Sequence, residues 1–228
     1  MRRRTFLAGL GTAASVSTVG CVGSLGGGNE NTVLRKPDRG GTTSADLPYS
    51  AWGERIPDVT VPVPLQDASV SLRDIETSFF TTFFYTTCRT VCPTLISTLR
   101  QVQAHSVQNE YAEEVGFYPI DFDPAWDTVD VLESYTDQMN IDTDAGNWAF
   151  LRPEDEAAAK DVVTGEFGIV YEQVESEYSE YEFVHTTIIT LANAEGYVER
   201  TYRLGGGGFD QIRLIEDLRT VRNGGGIL

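Results

Sequence analysis

The run Phe79-Phe80-Thr81-Thr82-Phe83-Phe84-Tyr85 is β-prone throughout and carries no charge. A strand with one wet face alternates apolar and polar side chains. This one does not, so it is expected as the central strand of a sheet covered on both faces. Amphipathic stretches alternate with the other apolar runs and supply the cover. A helix follows the strand, with Pro93 early in it and Leu95, Leu99, Val102 and Ser106 along one stripe. Val115–Asp121 reads as a second strand and Val129–Met139 as a second helix. Residues 147–151 read as a short edge strand, and residues 153–163 as a third helix with acids in its first turn. Residues 186–191, a turn at Asn193-Ala194-Glu195-Gly196, and residues 197–202 form a β-hairpin. A closing helix is expected over 209–221, with Ile212, Ile215 and Leu218 facing inward. A small leading hairpin, residues 59–63 with 68–72, precedes everything else. The order predicts an α/β fold, a mixed sheet flanked by helices with an N-terminal β-hairpin extension. No internal repeat is visible, and Trp148 and Phe150 read as core.

Charge narrows the range of partners. Asp+Glu number 34 against 17 Lys+Arg, a formal net charge of −17. Such a chain repels phosphate backbones, which excludes nucleic acid as a natural partner. All its basic residues except Lys36 and Lys160 are arginine. An acidic, lysine-poor surface suits concentrated salt, which screens self-repulsion, and marks the protein as halophilic. No apolar run is long enough for a membrane-spanning helix.

The N-terminus has the form of an address. Met1-Arg2-Arg3-Arg4-Thr5-Phe6-Leu7 leads into a short, mildly apolar run of small residues. That pattern is a secretory leader, and Arg3-Arg4-Thr5-Phe6-Leu7 resembles the twin-arginine type, which exports folded proteins. The leader ends at Thr18-Val19-Gly20-Cys21, which reads as a lipobox with Cys21 as the lipidated residue. Residues 1–21 are therefore expected to be a lipoprotein signal. Residues 22–48, rich in Gly, Asn, Thr and Ser, read as a flexible linker, and residues 49–228 as the folded domain. The mature protein is expected on the outer face of the cytoplasmic membrane, held through its lipid anchor.

Of three cysteines, that leaves Cys88 and Cys92 as a pair in an oxidising compartment. They lie in the loop between the first central strand and its helix. Functional groups gather at such carboxyl ends of strands. With Pro93 at the first helical position, both sulfurs fall in the positive field of the helix start, which favours thiolate. The pair by itself supports a structural disulfide, a dithiol/disulfide redox couple, or two soft ligands for copper, with zinc a weaker candidate. Three intervening residues rather than two argue against an ordinary thioredoxin-type couple and leave room to open around an ion.

A third ligand would decide between them, and the chain has two histidines. His105 stands thirteen residues beyond Cys92 on the same helix, roughly 20 Å away at ~1.5 Å per residue, and reads as a helix-face residue. His185 immediately precedes the strand of the final hairpin. If that strand runs antiparallel to the first, His185 begins at the cysteine edge and can reach Cys88 and Cys92.

Phe83-Phe84-Tyr85-Thr86-Thr87-Cys88-x3-Cys92-Pro93, Asp123-Pro124-x2-Asp127-Thr128 and Val184-His185-Thr186-Thr187, in this order, resemble the Sco/SenC family. The likeness covers about residues 55–222. It implies a thioredoxin-like domain binding one copper ion, Cu(I) or Cu(II), through Cys88, Cys92 and His185. It further implies a chaperone that helps build the dinuclear copper centre of a respiratory haem-copper oxidase, by delivering copper or by reducing the receiving cysteines. The partner would be the oxidase's copper-receiving subunit, and the chaperone a monomer. The loop residues Arg89-Thr90-Val91 lack the acid often found there, and the acidic segment 172–182 is unusual for the family.

Other residues have plainer readings beside the functional ones. Asp123 is a candidate to orient His185 or to dock a partner, and otherwise a turn residue beside Pro124. Asp127 reads as a helix N-cap. The acidic stretch 172–182 reads as a solvated hairpin, although it could dock a cationic partner. Gly205–Gly208 lacks the Lys-Ser/Thr of a phosphate loop and reads as a flexible connection. No serine–histidine–acid arrangement or zinc-hydrolase motif is present. The expected function is thus a copper chaperone, the alternative a thiol–disulfide oxidoreductase with incidental metal affinity, and a third reading an interaction module with an inert disulfide.

Overall fold

The computed structural model describes residues 29–176, 180–204 and 208–224. The leader, with Cys21, and Gly205–Gly207 lie outside the described residues. Among these residues, no helix is long and apolar enough to cross a membrane.

The leading hairpin is β1 (Thr60–Val63) against β2 (Ala68–Ser71). The uncharged aromatic run becomes β3 (Ser78–Phe84), every residue of it buried. It pairs in parallel with β4 (Val115–Asp121), from Ser78 opposite Val115 to Phe84 opposite Asp121. On its other side it pairs antiparallel with β7 (Ile188–Ala192), which pairs antiparallel with β8 (Val198–Arg203). The sheet order is β4-β3-β7-β8, with β3 central as the sequence demands. Even its threonines are satisfied there: Thr81 donates to Tyr118 O at 2.8 Å and Thr82 to Ile188 O at 2.6 Å.

Helices cover the sheet. α1 (Cys92–Gln108) buries Leu95, Leu99, Val102 and Ser106, the expected stripe. α2 (Val129–Met139) is capped by Thr128, whose hydroxyl accepts from Val131 N at 3.4 Å. α4 (Gln211–Arg222) closes the chain, but its inward stripe is Leu214, Leu218 and Val221. Ile212 is 69% exposed, so the expected inward triplet is corrected by rotation of the helix. The third helix is shorter than expected: α3 (Glu156–Lys160), capped by Asp155, passes into a π-helical turn, Asp161–Glu166. The edge segment 147–151 forms only two parallel bridges, Phe117 to Trp148 and Ile120 to Leu151. Its ladder runs Phe117 N to Asn147 O, Ala149 N to Phe117 O, Leu151 N to Pro119 O and Asp121 N to Leu151 O. The missing rung is the one Pro119 would donate, and proline has no N–H.

Composition reads residues 22–48 as a flexible linker; within it, the structure packs residues 31–34 and the backbone of Pro48 against the domain. Glu199, buried completely in β8, is a carboxylate in need of donors. Val33 N reaches it at 2.9 Å, Leu34 N at 2.8 Å and Asn193 Nδ2 at 2.8 Å. Trp52 Nε1 then donates to Leu34 O at 2.8 Å, and the Leu34 side chain is buried. Further along, Gly168 (φ +67°) touches the backbone of Pro48, where an added Cβ would lie 1.6 Å from the carbonyl oxygen. Packing thus begins well ahead of residue 49.

Between α3 and β7 the acidic segment folds as a separate two-stranded hairpin, β5 (Tyr171–Val174) against β6 (Glu182–His185). The topology gathers the carboxyl ends of β3 and β4, the start of β7 and this hairpin at one edge.

Candidate metal centre

The chain leaves β3 through Tyr85, Thr86 and Thr87 and enters α1 at Cys92, so the cysteines sit on the turn between them. No side chain caps α1. In place of a cap, the Cys88 sulfur accepts the Cys92 N–H at 3.4 Å and lies 3.6 Å from Thr90 Oγ1. The Tyr85 hydroxyl oxygen accepts from Phe183 N at 3.1 Å. Neither cysteine is in a disulfide.

The two are unequal. A hydrogen bond from the Cys92 side chain, joined by the backbone N–H groups of Cys92 and Thr90, pushes Cys88 down to about 4. Burial first, and then the Cys88 charge, pushes Cys92 well above the ordinary thiol range. Burial and the shared hydrogen bonds thus drive the two thiols in opposite directions. The helix start was expected to favour thiolate at both, and complete burial cancels that at Cys92.

His185 ends β6 and comes from the far side. Its Nε2 lies 3.9 Å from Cys92 Sγ. Its Nδ1 lies 3.2 Å from Thr186 O, an atom that can only accept, so Nδ1 carries the proton and Nε2 presents a lone pair. Burial lowers its pKa, which keeps the ring neutral at pH 7. The ring packs on Phe122 with centroids 5.0 Å apart. A neutral imidazole with its far nitrogen anchored to a carbonyl suits a metal ligand. Donors sharing one ion through bonds of about 2.0 and 2.3 Å stand roughly 3.5–4 Å apart, so the Cys92–His185 spacing fits. Among the described residues, no three His, Cys, Asp or Glu side chains stand already assembled at coordinating spacing. Two soft sulfurs and one borderline nitrogen form a donor set that fits copper in either oxidation state.

His105 takes no part: its Nδ1 lies 2.5 Å from Tyr111 Oη, at the far end of α1. Asp123 does not touch His185. Buried at the end of β4, it accepts from Tyr181 Oη at 2.7 Å and so ties down the hairpin that carries the histidine. Burial raises Asp123 to about 6. Asp127 is no N-cap; Thr128 has that role. The Asp127 carboxylate is buried and accepts both the N–H (2.8 Å) and the hydroxyl of Thr86, fixing the root of the cysteine loop. Asp121, pushed far up by burial and by the Asp127 charge, completes a buried acidic group that the sequence reading missed. Two acids in the span 121–123 at a strand's end were the available signal. A groove of about 580 Å³ opens beside Cys88, lined by Arg89, Trp126, Glu180 and Tyr181 among others.

A central strand, a thiolate at the mouth of its helix and a neutral histidine across the edge define a thioredoxin-like domain with a soft-metal or dithiol centre. The chain belongs to the SCO1/SenC family, whose profile matches residues 66–222. Solved structures agree on the fold. A SCO1/SenC family lipoprotein from Bacillus anthracis str. Ames superposes with a TM-score of 0.58 at 18% identity, over 77% of this chain and 96% of that one. Bradyrhizobium japonicum ScoI with copper bound gives 0.57 at 20% identity, over 75% and 99%. BsSco, a member of the Sco family of cytochrome c oxidase assembly proteins with an identified disulfide switch, gives 0.60 at 18%, over 77% and 96%. No curated protein sequence is a significant match.

Proposed function

We propose that this protein is a copper-binding assembly factor for a haem-copper oxidase, exported and held at the outer face of the cytoplasmic membrane through Cys21. The observation that carries the reading is the approach of His185 Nε2 to Cys92 Sγ at 3.9 Å, beside the Cys88 thiolate. Cys88, Cys92 and His185 would hold one copper ion as cargo, and closing on it requires Cys92 to give up its proton. A three-donor site leaves a position open, so an acceptor's ligand can enter before the donor set lets go. Family membership and the copper-bound structure of a relative support the reading, as do the leader and the lipobox.

A second reading has its own support in the unequal sulfurs. A low-pKa cysteine lining a groove, next to a fully buried cysteine of raised pKa, is the arrangement of a dithiol reductant. Cys88 would attack one sulfur of an acceptor disulfide, breaking its S–S bond: that sulfur joins Cys88 in a mixed disulfide and the other leaves as a thiolate. Cys92, losing its proton, would then displace the acceptor thiolate. The acceptor gains two electrons and leaves reduced, while Cys88–Cys92 leaves as the disulfide.

Copper titration of the reduced protein separates them. One Cu(I) per chain is expected, and His185→Ala should weaken Cu(II) binding far more than Cu(I) and change the Cu(II)–thiolate absorption. An unchanged Cu(II) spectrum in His185→Ala would leave the dithiol reading standing alone.

A further inference from the structure

A guanidinium pairs best with a carboxylate, which takes its fork in two parallel bonds. Among the described residues, Arg152 forms no ion pair. Its side chain goes instead to two backbone carbonyls: Nε donates to Asp127 O and Nη2 to Pro124 O, each at 2.6 Å. The backbone beneath it is fixed on two sides. Leu151, just before it, is laddered to β4 through Pro119 O and Asp121 N, and the Arg152 N–H donates to Pro62 O of β1 at 2.9 Å. The cation thus stands on rigid elements and grips the loop 123–127.

That loop is where both halves of the candidate metal centre are tied. The Asp127 carboxylate accepts the N–H and the hydroxyl of Thr86, two residues before Cys88. The Asp123 carboxylate accepts from Tyr181, immediately before the strand that ends in His185. Inside the loop, Trp126 N and Asp127 N both bond Asp123 O, at 3.1 and 2.9 Å, and Thr128 N bonds Trp126 O. The carbonyls of Pro124 and Asp127 take no part in that turn, and they are the two that Arg152 holds. The Arg152 charge also pulls against the burial that pushes Asp127 up, which favours the ionised form that accepts both Thr86 bonds.

We infer that Arg152 is a positioning residue for the metal centre: it fixes the 123–127 loop and, through it, the place of the cysteine loop relative to the histidine hairpin. The inference rests on the copper reading above. A Cu(II) site needs the imidazole at a set spacing from the thiolates, so slack in the loop falls on that ion. Cu(I) depends mainly on the two sulfurs, which β3 also holds. Arginine suits the role because its rigid fork reaches two carbonyls at once, whereas a lysine ammonium is a point charge on a flexible stem.

The test compares Arg152→Met, Arg152→Lys and a control, Arg222→Met, in the reduced full chain. Arg222 lies over the Tyr111 ring at 3.7 Å and bonds Glu114 at 2.6 Å, beyond the far end of α1, so its loss reports general destabilisation. Arg152→Met should weaken Cu(II) binding roughly tenfold or more, weaken Cu(I) binding less, and shift the Cu(II)–thiolate absorption. Arg152→Lys should recover part of the loss, and Arg222→Met should leave the spectrum unchanged. Hydrogen exchange on copper-free samples tests the anchor without the metal: Arg152→Met should deprotect the Thr86 amide and residues 171–185 together. A folded Arg152→Met with the wild-type Cu(II) spectrum and the wild-type ratio of Cu(II) to Cu(I) affinity would overturn the inference. So would deprotection of only one of the two segments, or an equal spectral shift in Arg222→Met. Should Arg152→Met not fold, Arg152→Lys carries the same test, and wild-type spectrum and exchange there would overturn the inference. A wild type that binds no copper would refute the copper reading, and the exchange comparison would still decide whether Arg152 anchors both segments.

Discussion

The cysteine loop and the histidine hairpin meet at one point, yet the fold secures them differently. Cys88 and Cys92 hang from β3, whose 7 residues are all buried and which is laddered along both edges. Asp127 ties the root of their loop to the end of β4. His185 ends a two-stranded sheet that shares no ladder with the main one. A hairpin of that size is marginal by itself in water. Aromatic packing holds it in place: Phe122 stacks on Tyr171 at 4.8 Å and meets Phe183 at 5.4 Å, and Tyr85 meets Phe183 at 5.1 Å. The sulfurs are thus set by the core, whereas the imidazole's place depends on a few rings and the Tyr181–Asp123 bond. On the copper reading proposed above, Cu(I), content with two thiolates, would rely on the rigid side, and Cu(II), which favours nitrogen, on the adjustable one.

The largest effect should come from the rigid side. Cys88→Ser and Cys92→Ser should each abolish stoichiometric Cu(I) binding, measured by competition with a chromophoric chelator. Only Cys92→Ser should also cost stability, about 1–3 kcal/mol, because it puts a hydroxyl in a fully buried place. Stoichiometric copper retained by both variants would show that the cysteines are not the donors.

Phe122→Ala comes next and probes the adjustable side. Truncating a ring that is 2% exposed should cost about 3–5 kcal/mol in denaturant unfolding. Phe80→Ala in β3 should cost a similar amount. The two should part company in hydrogen exchange: Phe122→Ala should deprotect 171–185 selectively, Phe80→Ala the whole sheet together. Identical exchange patterns would mean that the hairpin is no less rigid than the sheet.

The unequal sulfurs predict a pH signature. Held at about 4, Cys88 is thiolate across the neutral range, so its alkylation rate should stay flat from about pH 5 to 8. Cys92 should stay unreactive until the solution is well into the alkaline range. The stabilisation of the Cys88 thiolate is fully present above the ordinary thiol value of about 9 and is lost as the pH falls toward about 4. Matching alkylation profiles for the two, followed by mass spectrometry, would erase the asymmetry.

The smallest effect should be that of Tyr181→Phe. It removes one hydrogen bond to Asp123, worth about 0.5–1.5 kcal/mol, and should loosen the hairpin while leaving Cu(I) affinity alone. A change in Cu(I) affinity would mean that the hairpin constrains the sulfurs as well.

Legibility followed the same division. β4 and α2 match their expected bounds, because period and caps lie in contiguous residues. The meeting of Cys88, Cys92 and His185 at one edge followed from a CxxxCP turn after a buried strand and a histidine before a strand that does run antiparallel to it. What escaped the reading depends on partners distant in sequence. Asp127 looks like a cap until Thr86 is seen donating to it, and Asp123 looks like a turn residue until Tyr181 arrives from the hairpin. Ile212 fits an inward stripe as well as Leu214 does until the sheet fixes the helix rotation. The chain at 31–34 has a linker's composition, and only a buried carboxylate in β8 makes it part of the domain.

That carboxylate imposes an order in time. Val33 and Glu199 are 166 residues apart, so the first packed segment of the domain has no place to settle until nearly the whole chain has left the ribosome. A chain threaded unfolded across a membrane would make this contact only after arrival. One exported folded, as proposed above, would carry it across already made.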